Sequence, residues 1–147
     1  MTGPQRDLFH LLSYAENRAA RWLAAAWDSE GCSIEQWRVL ALLADEQGHA
    51  MTEVADFALL PAPSATKLAD RMVAENLVHR RADPADRRRV LVYLTPRGHE
   101  LHARLAASLE RLQTDLLKTI GGGADFQERL TGLAAAFETD RALTDTR

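Results

Sequence analysis

Residues 77–94 constrain the possible folds of this 147-residue chain more than any other segment. Two short segments that read as strands, 77–81 and 90–94, lie on either side of a polar turn at 82–88 that contains an Asp-Pro pair, and the second of them is rich in β-branched and aromatic residues. Such segments around a turn are typical of a β-hairpin. Elsewhere the apolar residues recur at three- and four-residue steps, which are typical of helices. The sequence therefore predicts a mainly α-helical protein with a small β-hairpin.

Two helices are predicted at the start of the chain. The first is a long amphipathic helix within residues 5–30, which ends before Gly31. Ser33 and Gln36 then have the spacing of a capping box, in which each side chain accepts a hydrogen bond from the other residue's backbone N–H. We expect this box to begin a second helix that stops near residues 47–48.

Two shorter helices are predicted before the hairpin. Thr52 is a suitable N-cap for a third helix over residues 53–59. Pro63 opens a fourth helix, since proline is tolerated in a first turn, where the amide hydrogens have no intrahelical partner. That helix is expected to run to about Glu75, and Asn76 to end it in the left-handed conformation.

Two further amphipathic helices are predicted after the hairpin, within residues 96–140, with three consecutive glycines between them at 121–123. The chain therefore has long amphipathic helices at both ends, with more apolar surface than a lobe of residues 33–97 could cover alone. This surplus favours association between copies of the chain. We expect residues 1–147 to form a single domain with these end helices, 5–30 and 96–140, as its dimerisation part.

The charge of the chain is unevenly distributed. The net charge is −3 and the pI about 5.9, which argues against a uniformly basic nucleic-acid coat. Residues 62–104, however, hold nine Lys and Arg against five Asp and Glu, so this segment carries +4 while the remainder carries −7. Because local charge decides whether a polyanion can dock, the segment that contains the fourth helix and the hairpin is the candidate contact with nucleic acid.

Three helices followed by a β-hairpin form the pattern of a winged helix-turn-helix domain. In this pattern the sequence resembles the MarR-type bacterial transcriptional regulators. The resemblance lies in residues 37–40, 68–78, 80–92 and 94–98. Its most specific part is an Asp-x-Arg motif at the hairpin tip, followed by a strand and by Leu-Thr-x-x-Gly.

The resemblance implies a homodimer that binds double-stranded DNA, with a winged helix-turn-helix lobe at residues 33–97 flanked by the dimerisation helices. In the family each recognition helix enters a major groove and each wing tip an adjacent minor groove. Two-fold proteins bind pseudo-palindromic operators, with half-sites about one helical turn apart. We therefore expect a cytoplasmic, ligand-responsive repressor. The alternative is a winged-helix module that binds proteins and no operator.

The resemblance also assigns DNA contacts. The helix from Pro63 would be the recognition helix, with four residues in its exposed first turns and Lys67 and Arg71 on phosphates. At the wing tip, Arg88 would enter the minor groove, Asp86 would orient Arg88 by a charge-assisted hydrogen bond, and two further arginines would contact the DNA backbone. The predicted DNA-binding residues are Ser64, Ala65, Thr66, Lys67, Arg71, Asp86, Arg87, Arg88 and Arg89.

The sequence departs from the family just before the recognition helix. Leu59 and Pro61 occupy positions that hold Gly and Ser in the family, and Pro63 replaces a small polar residue. We expect this departure to change how the helix approaches the groove and which operator it prefers.

Related regulators bind small aromatic or anionic compounds between the dimer helices and the DNA-binding lobe. The residues that could form such an effector pocket here are Trp22, Trp37, Arg18 and Arg38. Aromatic residues at helical spacing are more often part of a core, and the two arginines could equally be surface residues.

Other chemistry is not predicted. Cys32 is alone and has no basic neighbour to lower its pKa, so it is expected to be structural. His99 and His102 lack the further ligands that zinc needs. The sequence has no Gly-rich phosphate loop, nucleophile elbow or His-Glu-x-x-His motif. We expect no catalytic residues, no metal, no cofactor and no membrane-spanning segment.

Overall fold

Six helices and three short strands form residues 4–144, the part of the chain that the computed structural model describes. In chain order they are α1 (Leu8–Ala26), α2 (Ile34–Leu43), β1 (His49–Ala50), α3 (Met51–Ala58), α4 (Ala62–Ala74), β2 (Val78–Ala82), β3 (Val90–Leu94), α5 (Pro96–Ile120) and α6 (Gly123–Thr144). The predicted class, mainly helical with a hairpin, is confirmed.

The hairpin is part of a three-stranded antiparallel sheet in the order β1-β3-β2. Val78 pairs with Leu94 and Ala82 with Val90, so β2 and β3 are in full register. The strand β1, which was not predicted, adds a two-residue edge next to β3. Gly48 allows this edge, because a Cβ there would lie 2.4 Å from Cζ of the Tyr93 ring.

Two predicted helix starts and ends are confirmed. Ser33 Oγ accepts from the Gln36 backbone N–H at 3.1 Å, and Gln36 Oε1 accepts from the Ser33 backbone N–H at 3.0 Å. These two bonds form the predicted capping box at the start of α2. Asn76 has φ 57°, the left-handed conformation that the sequence predicted after α4.

Two other predictions about helix ends were wrong. The first helix ends at Ala26, before Gly31 as predicted, and a short 3-10 turn, Asp28–Glu30, follows it. The second helix, however, ends at Leu43 and does not reach residues 47–48. Thr52 does not cap α3, because the extended backbone of Ala50, already paired in β1, provides the N-cap one residue before the helix starts at Met51. Thr52 therefore lies inside the first turn.

The core of the lobe is built from α2, α3, α4 and the sheet. Its most completely buried side chains are those of Leu40, Leu43, Val54, Met72 and Val92. The start of α5 is held against the end of α4, since the Thr95 hydroxyl donates to the Asn76 carbonyl at 2.6 Å and accepts from the Gly98 backbone N–H. The helix α4 and the hairpin thus share one core, to which the start of α5 is joined.

The Cα positions group the chain into two compact units, one up to Leu105 and one from Ala106 onward. In the first unit, α1 has no buried residue, and Leu11 and Trp22 are about half exposed. In the second unit, Leu116, Ile120 and Leu130 are also about half exposed. The apolar faces of these helices are therefore largely open to solvent.

Candidate nucleic-acid interface

The first turns of α4 present part of the predicted contact set to solvent. Ser64, Thr66 and Lys67 are exposed, and Arg71 is exposed further along the helix. The prediction that Ala65 is exposed was wrong, because its side chain is 99% buried. A residue in that position is covered by the core of the lobe.

The spacing of the buried residues explains this error. Ala65, Leu68, Ala69 and Met72 form one buried stripe at three- and four-residue steps. Since successive helical residues are about 100° apart, the side opposite this stripe carries Pro63, Lys67 and Asp70. The same spacing is visible in the sequence, so it could have placed Ala65 in the core.

The wing tip has an ordered backbone. The Asp83 and Arg89 main chains are joined by an N–H to carbonyl bond of 2.8 Å, and the Arg89 N–H donates to the Asp86 carbonyl at 2.9 Å. Asp83 Oδ1 accepts from the Ala85 N–H at 2.9 Å. These bonds form the seven-residue turn that carries the arginines.

The role predicted for Asp86 needs correction. Asp86 Oδ1 accepts from the backbone N–H of Arg88 at 3.1 Å, and no contact with the Arg88 guanidinium is found in the described structure. A carboxylate two residues before an N–H readily closes such a turn. Asp86 therefore shapes the loop that carries Arg88 and leaves the guanidinium free.

Some cations of this surface are paired with a carboxylate and others are not; they are called committed and uncommitted cations. Arg89 donates to Glu53 of α3 at 3.2 Å, and Arg80 donates to Asp70 of α4 at 2.5 Å. Among residues 4–139, whose side chains the structure describes, four exposed cations of the predicted set have side chains that form no hydrogen bond or ion pair. They are Lys67, Arg71, Arg87 and Arg88.

His49 connects the base of the wing to α3, which the sequence analysis did not predict. Its Nε2 lies 2.8 Å from Asp45 Oδ2 and its Nδ1 lies 2.6 Å from Glu53 Oε2. Burial lowers the pKa of His49, but hydrogen bonds to the two carboxylates outweigh burial and raise the pKa above its usual value. A ring with an acceptor at each nitrogen fits the doubly protonated imidazolium. Glu53 also holds Arg89, so this cluster reaches the wing.

Three of the four residues of the predicted effector pocket take part in separate contacts. Trp37 lies 5.4 Å from the Trp27 ring and stacks on His102 at 5.2 Å, centroid to centroid. Arg38 donates to the Ala58 carbonyl at 3.3 Å, and the Arg18 guanidinium lies 5.1 Å from the centre of the Tyr14 ring.

Trp22 is 43% exposed on α1. An open cavity of about 330 Å³ lies elsewhere in the first unit, and its lining includes Cys32, Gln36 and Arg104 but none of the four predicted pocket residues. The structure therefore does not gather those four around this cavity.

Cys32 is buried beside the start of α2. Burial, followed by the nearby charges of Glu75 and Glu30, raises the pKa of its thiol to about 11. The thiolate is the reactive form, so this environment disfavours thiol chemistry.

Among the described residues, no group of three His, Cys, Asp or Glu side chains could hold a metal ion. No helix within residues 4–144 is long and apolar enough to cross a membrane.

Comparison with known proteins agrees with this geometry. A protein-family model described as the MarR family matches residues 30–89, which include α2, α3, α4 and β2. The crystal structure of a MarR family transcriptional regulator from Silicibacter pomeroyi superposes with a TM-score of 0.81 at 29% identity, covering 93% of this chain and 99% of that one. The chain has the fold of the MarR family of transcriptional regulators. The predicted resemblance and the winged-helix architecture are thus confirmed.

Two more solved structures share this MarR fold. The transcriptional repressor CouR, bound to a 23-mer DNA duplex, matches with a TM-score of 0.76 at 24% identity, over 90% of this chain and 92% of that one. NadR in complex with 4-hydroxyphenylacetate matches with a TM-score of 0.77 at 21% identity, over 93% and 96%.

Curated relatives match over a shorter range. Two uncharacterised helix-turn-helix transcriptional regulators of Staphylococcus aureus, from strains Mu50 and N315, are 27% identical over 78 residues. The match covers 53% of this chain and 53% of each relative, so the chain spans about half the length of the curated relatives it matches.

Proposed function

We propose that this chain is a sequence-specific DNA-binding transcriptional regulator that acts as a homodimer on pseudo-palindromic operators. The observation that carries the proposal is the set of four uncommitted cations, Lys67, Arg71, Arg87 and Arg88, on the recognition helix and the wing tip. Such cations contact phosphates, and arginine suits the negative potential of a narrow minor groove. The DNA-bound CouR, which shares the fold, supports the same reading.

The wing assignment is tested with Arg88→Ala in a mobility-shift titration at several salt concentrations. We expect affinity for a selected operator to fall about tenfold and the slope of log affinity against log salt to decrease by about one, because one cation contact is lost. Arg111→Ala is the matched control, since Arg111 is also exposed but lies on α5, outside the recognition helix and wing. Equal affinity for both variants would contradict the wing assignment.

The homodimer is supported by the open apolar faces of α1 and of the second unit. Sedimentation equilibrium measures the mass directly. A monomer at micromolar concentration would contradict this part of the proposal. A regulator of this bacterial type must share a compartment with the chromosome, so the proposal includes a cytoplasmic location.

A ligand-responsive repressor is the finer form of the proposal. NadR, with the same fold, is in complex with 4-hydroxyphenylacetate, an aromatic anion. Here Trp37 and His102 form a partly exposed aromatic pair backed by the buried Trp27, and Trp22, Arg18 and Arg38 lie on the same unit. Burial, followed by His99, lowers the pKa of His102, so the stacked ring is favoured in its neutral form.

The ligand response is tested by titrating phenolic acids into the protein–operator complex. An effector shifts the equilibrium only by its differential affinity for the two states, so DNA release must accompany binding. Tryptophan fluorescence reports binding, and Trp37→Leu is expected to weaken it. If no phenolic acid both changes the fluorescence and releases DNA, this finer form of the proposal is contradicted.

A module that binds proteins is the second candidate function, and the overall charge of −3 favours it. It predicts the absence of any salt-dependent duplex binding. A steep loss of affinity with salt would exclude it, because that slope comes from counterions released by DNA.

A further inference from the structure

At the start of α4, where a recognition helix meets base edges, exposed apolar groups lie beside the exposed Ser64. Pro63 lies on the side opposite the buried stripe, and its neighbours Ala62 and Thr66 are also exposed. These three residues are called the first-turn patch. Lys67 follows Pro63 one turn later on the same outward side.

The side chains of the patch have few groups that can form hydrogen bonds with a base. Proline has no backbone N–H and its ring carries only CH₂ groups. The Thr66 hydroxyl donates to the Ala62 carbonyl at 3.0 Å, so its proton is used within the helix while its methyl group remains. Ala62 contributes a methyl group. The chemistry offered by the patch is therefore largely that of CH groups.

The next outward position does not change this character. Asp70 follows Lys67 on the outward side, but its carboxylate is held by Arg80 of β2. The free ammonium of Lys67 is thus the polar group on the outward side itself, while the exposed Ser64 lies about 100° around the helix from Pro63.

In helix-turn-helix proteins the N-terminal residues of the recognition helix contact base edges in the major groove. The apolar group displayed there is the 5-methyl of thymine, while the other features are hydrogen-bond donors and acceptors. We propose that the first-turn patch, Ala62, Pro63 and Thr66, selects operators by contact with thymine methyl groups. This inference rests on the proposed function.

Charge favours DNA over an apolar protein as the occupant of this surface. Lys67 and Arg71 lie on the same helix as the patch and are uncommitted, and the basic wing tip belongs to the same lobe. These cations can hold phosphates on both sides of the groove while the patch faces the bases. The sequence departure at Pro63 then has a function, which is to exchange a polar base contact for an apolar one.

The experiment uses the full chain and an operator selected from random duplex DNA. Each thymine is replaced in turn by deoxyuridine, which removes only the 5-methyl group. We expect one or two positions in each half-site at which affinity falls about fourfold, the size expected for one buried methyl group. The other positions should change by less than about twofold.

Two variants connect the effect to the patch. Thr66→Ser removes one methyl group and keeps the hydroxyl, and Pro63→Ser replaces the apolar ring by a polar group. In each, the ratio of affinities for thymine and deoxyuridine should move toward one at the sensitive positions. Val73→Ser is the matched control, because Val73 is an exposed apolar residue of α4 outside the first turn.

The outcomes separate this inference from the proposed function. Salt-dependent operator binding with no deoxyuridine-sensitive position overturns the inference and leaves the proposed function standing. A deoxyuridine effect that persists unchanged in both patch variants also overturns it. No duplex binding by the wild-type chain overturns the proposed function, and the inference with it.

Discussion

Apolar side chains are buried in one region of this chain, the lobe, and largely exposed in another, the end helices. In the lobe, Leu40, Met72 and Val92 are completely buried. In the end helices, α1 has no buried residue, and Leu130 of α6 is about half exposed. The lobe therefore has a core of its own, whereas the end helices expose apolar surface that a second copy of the chain could cover. We expect substitutions in the two regions to affect different measurements.

The largest expected effect comes from the lobe core. Leu40→Ala removes a completely buried side chain, so we expect the free energy of unfolding to fall by about 2–5 kcal/mol. Leu11→Ala is the control from α1, where the side chain is 47% exposed. Urea denaturation measures both at a concentration where the chain is monomeric. Equal losses would contradict the difference between the regions.

The second effect compares the same substitution at the start of α5, which packs on the lobe, and in α6. A Cβ at Gly98 would lie 2.1 Å from the Leu77 carbonyl oxygen, whereas nothing lies within 4 Å of one at Gly132. Gly98→Ala should lower the free energy of unfolding by about 1–3 kcal/mol, the usual cost of overpacking. Gly132→Ala should raise it by up to about 1 kcal/mol, because alanine favours a helix interior. Thermal denaturation is the measurement, and a gain in both variants would contradict the contact at Gly98.

The third effect concerns association. Leu130→Glu places a charge on the open face of α6, and we expect the dimer dissociation constant to rise at least about tenfold, as for an interface residue of moderate importance. Gln127→Glu adds the same charge to a polar position of the same helix and is the control. Sedimentation velocity over a concentration series compares the two. An unchanged constant in the Leu130 variant would place the interface elsewhere.

The smallest effect is a pH dependence within the lobe. Because the folded-state pKa of His49 is raised, its charged form stabilises the fold fully below the unfolded pKa of about 6.5, and this contribution is lost as pH rises through the folded pKa. The advantage of the wild type over His49→Gln should be larger at pH 5.5 than at pH 8.5. Its size should stay under about 1 kcal/mol, since both carboxylate partners are partly exposed.

Urea denaturation at the two pH values measures this difference. In an Asp45→Asn, Glu53→Gln background the same comparison should show no pH-dependent advantage, because the carboxylates that raise the pKa are absent. A larger advantage at pH 8.5 in the wild-type background would contradict the sign.

Much of the fold follows from local signals in the sequence. The capping box at Ser33 and the left-handed Asn76 depend on neighbouring residues alone, and both are confirmed. The strand β1 was missed because it has two residues and exists only through pairing with β3, about 40 positions later. Pairing of this kind leaves no local periodicity.

The candidate site was predictable in part. The spacing of the apolar residues of α4 indicates that Ala65 is buried. Ala65 was instead predicted to be exposed because it lies near the start of the helix. The pairing of Arg89 with Glu53 joins residues 36 positions apart, which no local pattern indicates. The contact of Asp86 with the backbone N–H of Arg88 spans only two positions and is typical of an Asp in a turn, so the sequence could have indicated it.

The backbone hydrogen bonds of the wing tip have a consequence for the entropy of DNA binding. Ordering a flexible residue costs about 1–2 kcal/mol in backbone entropy. If the seven-residue loop were flexible before docking, this cost would greatly lower the affinity of the protein for DNA. Here the bonds between Asp83 and Arg89 and those from Asp83 and Asp86 already fix that backbone before DNA arrives. The remaining entropic cost falls on the arginine side chains. A wing built this way can release DNA and bind it again without refolding its tip.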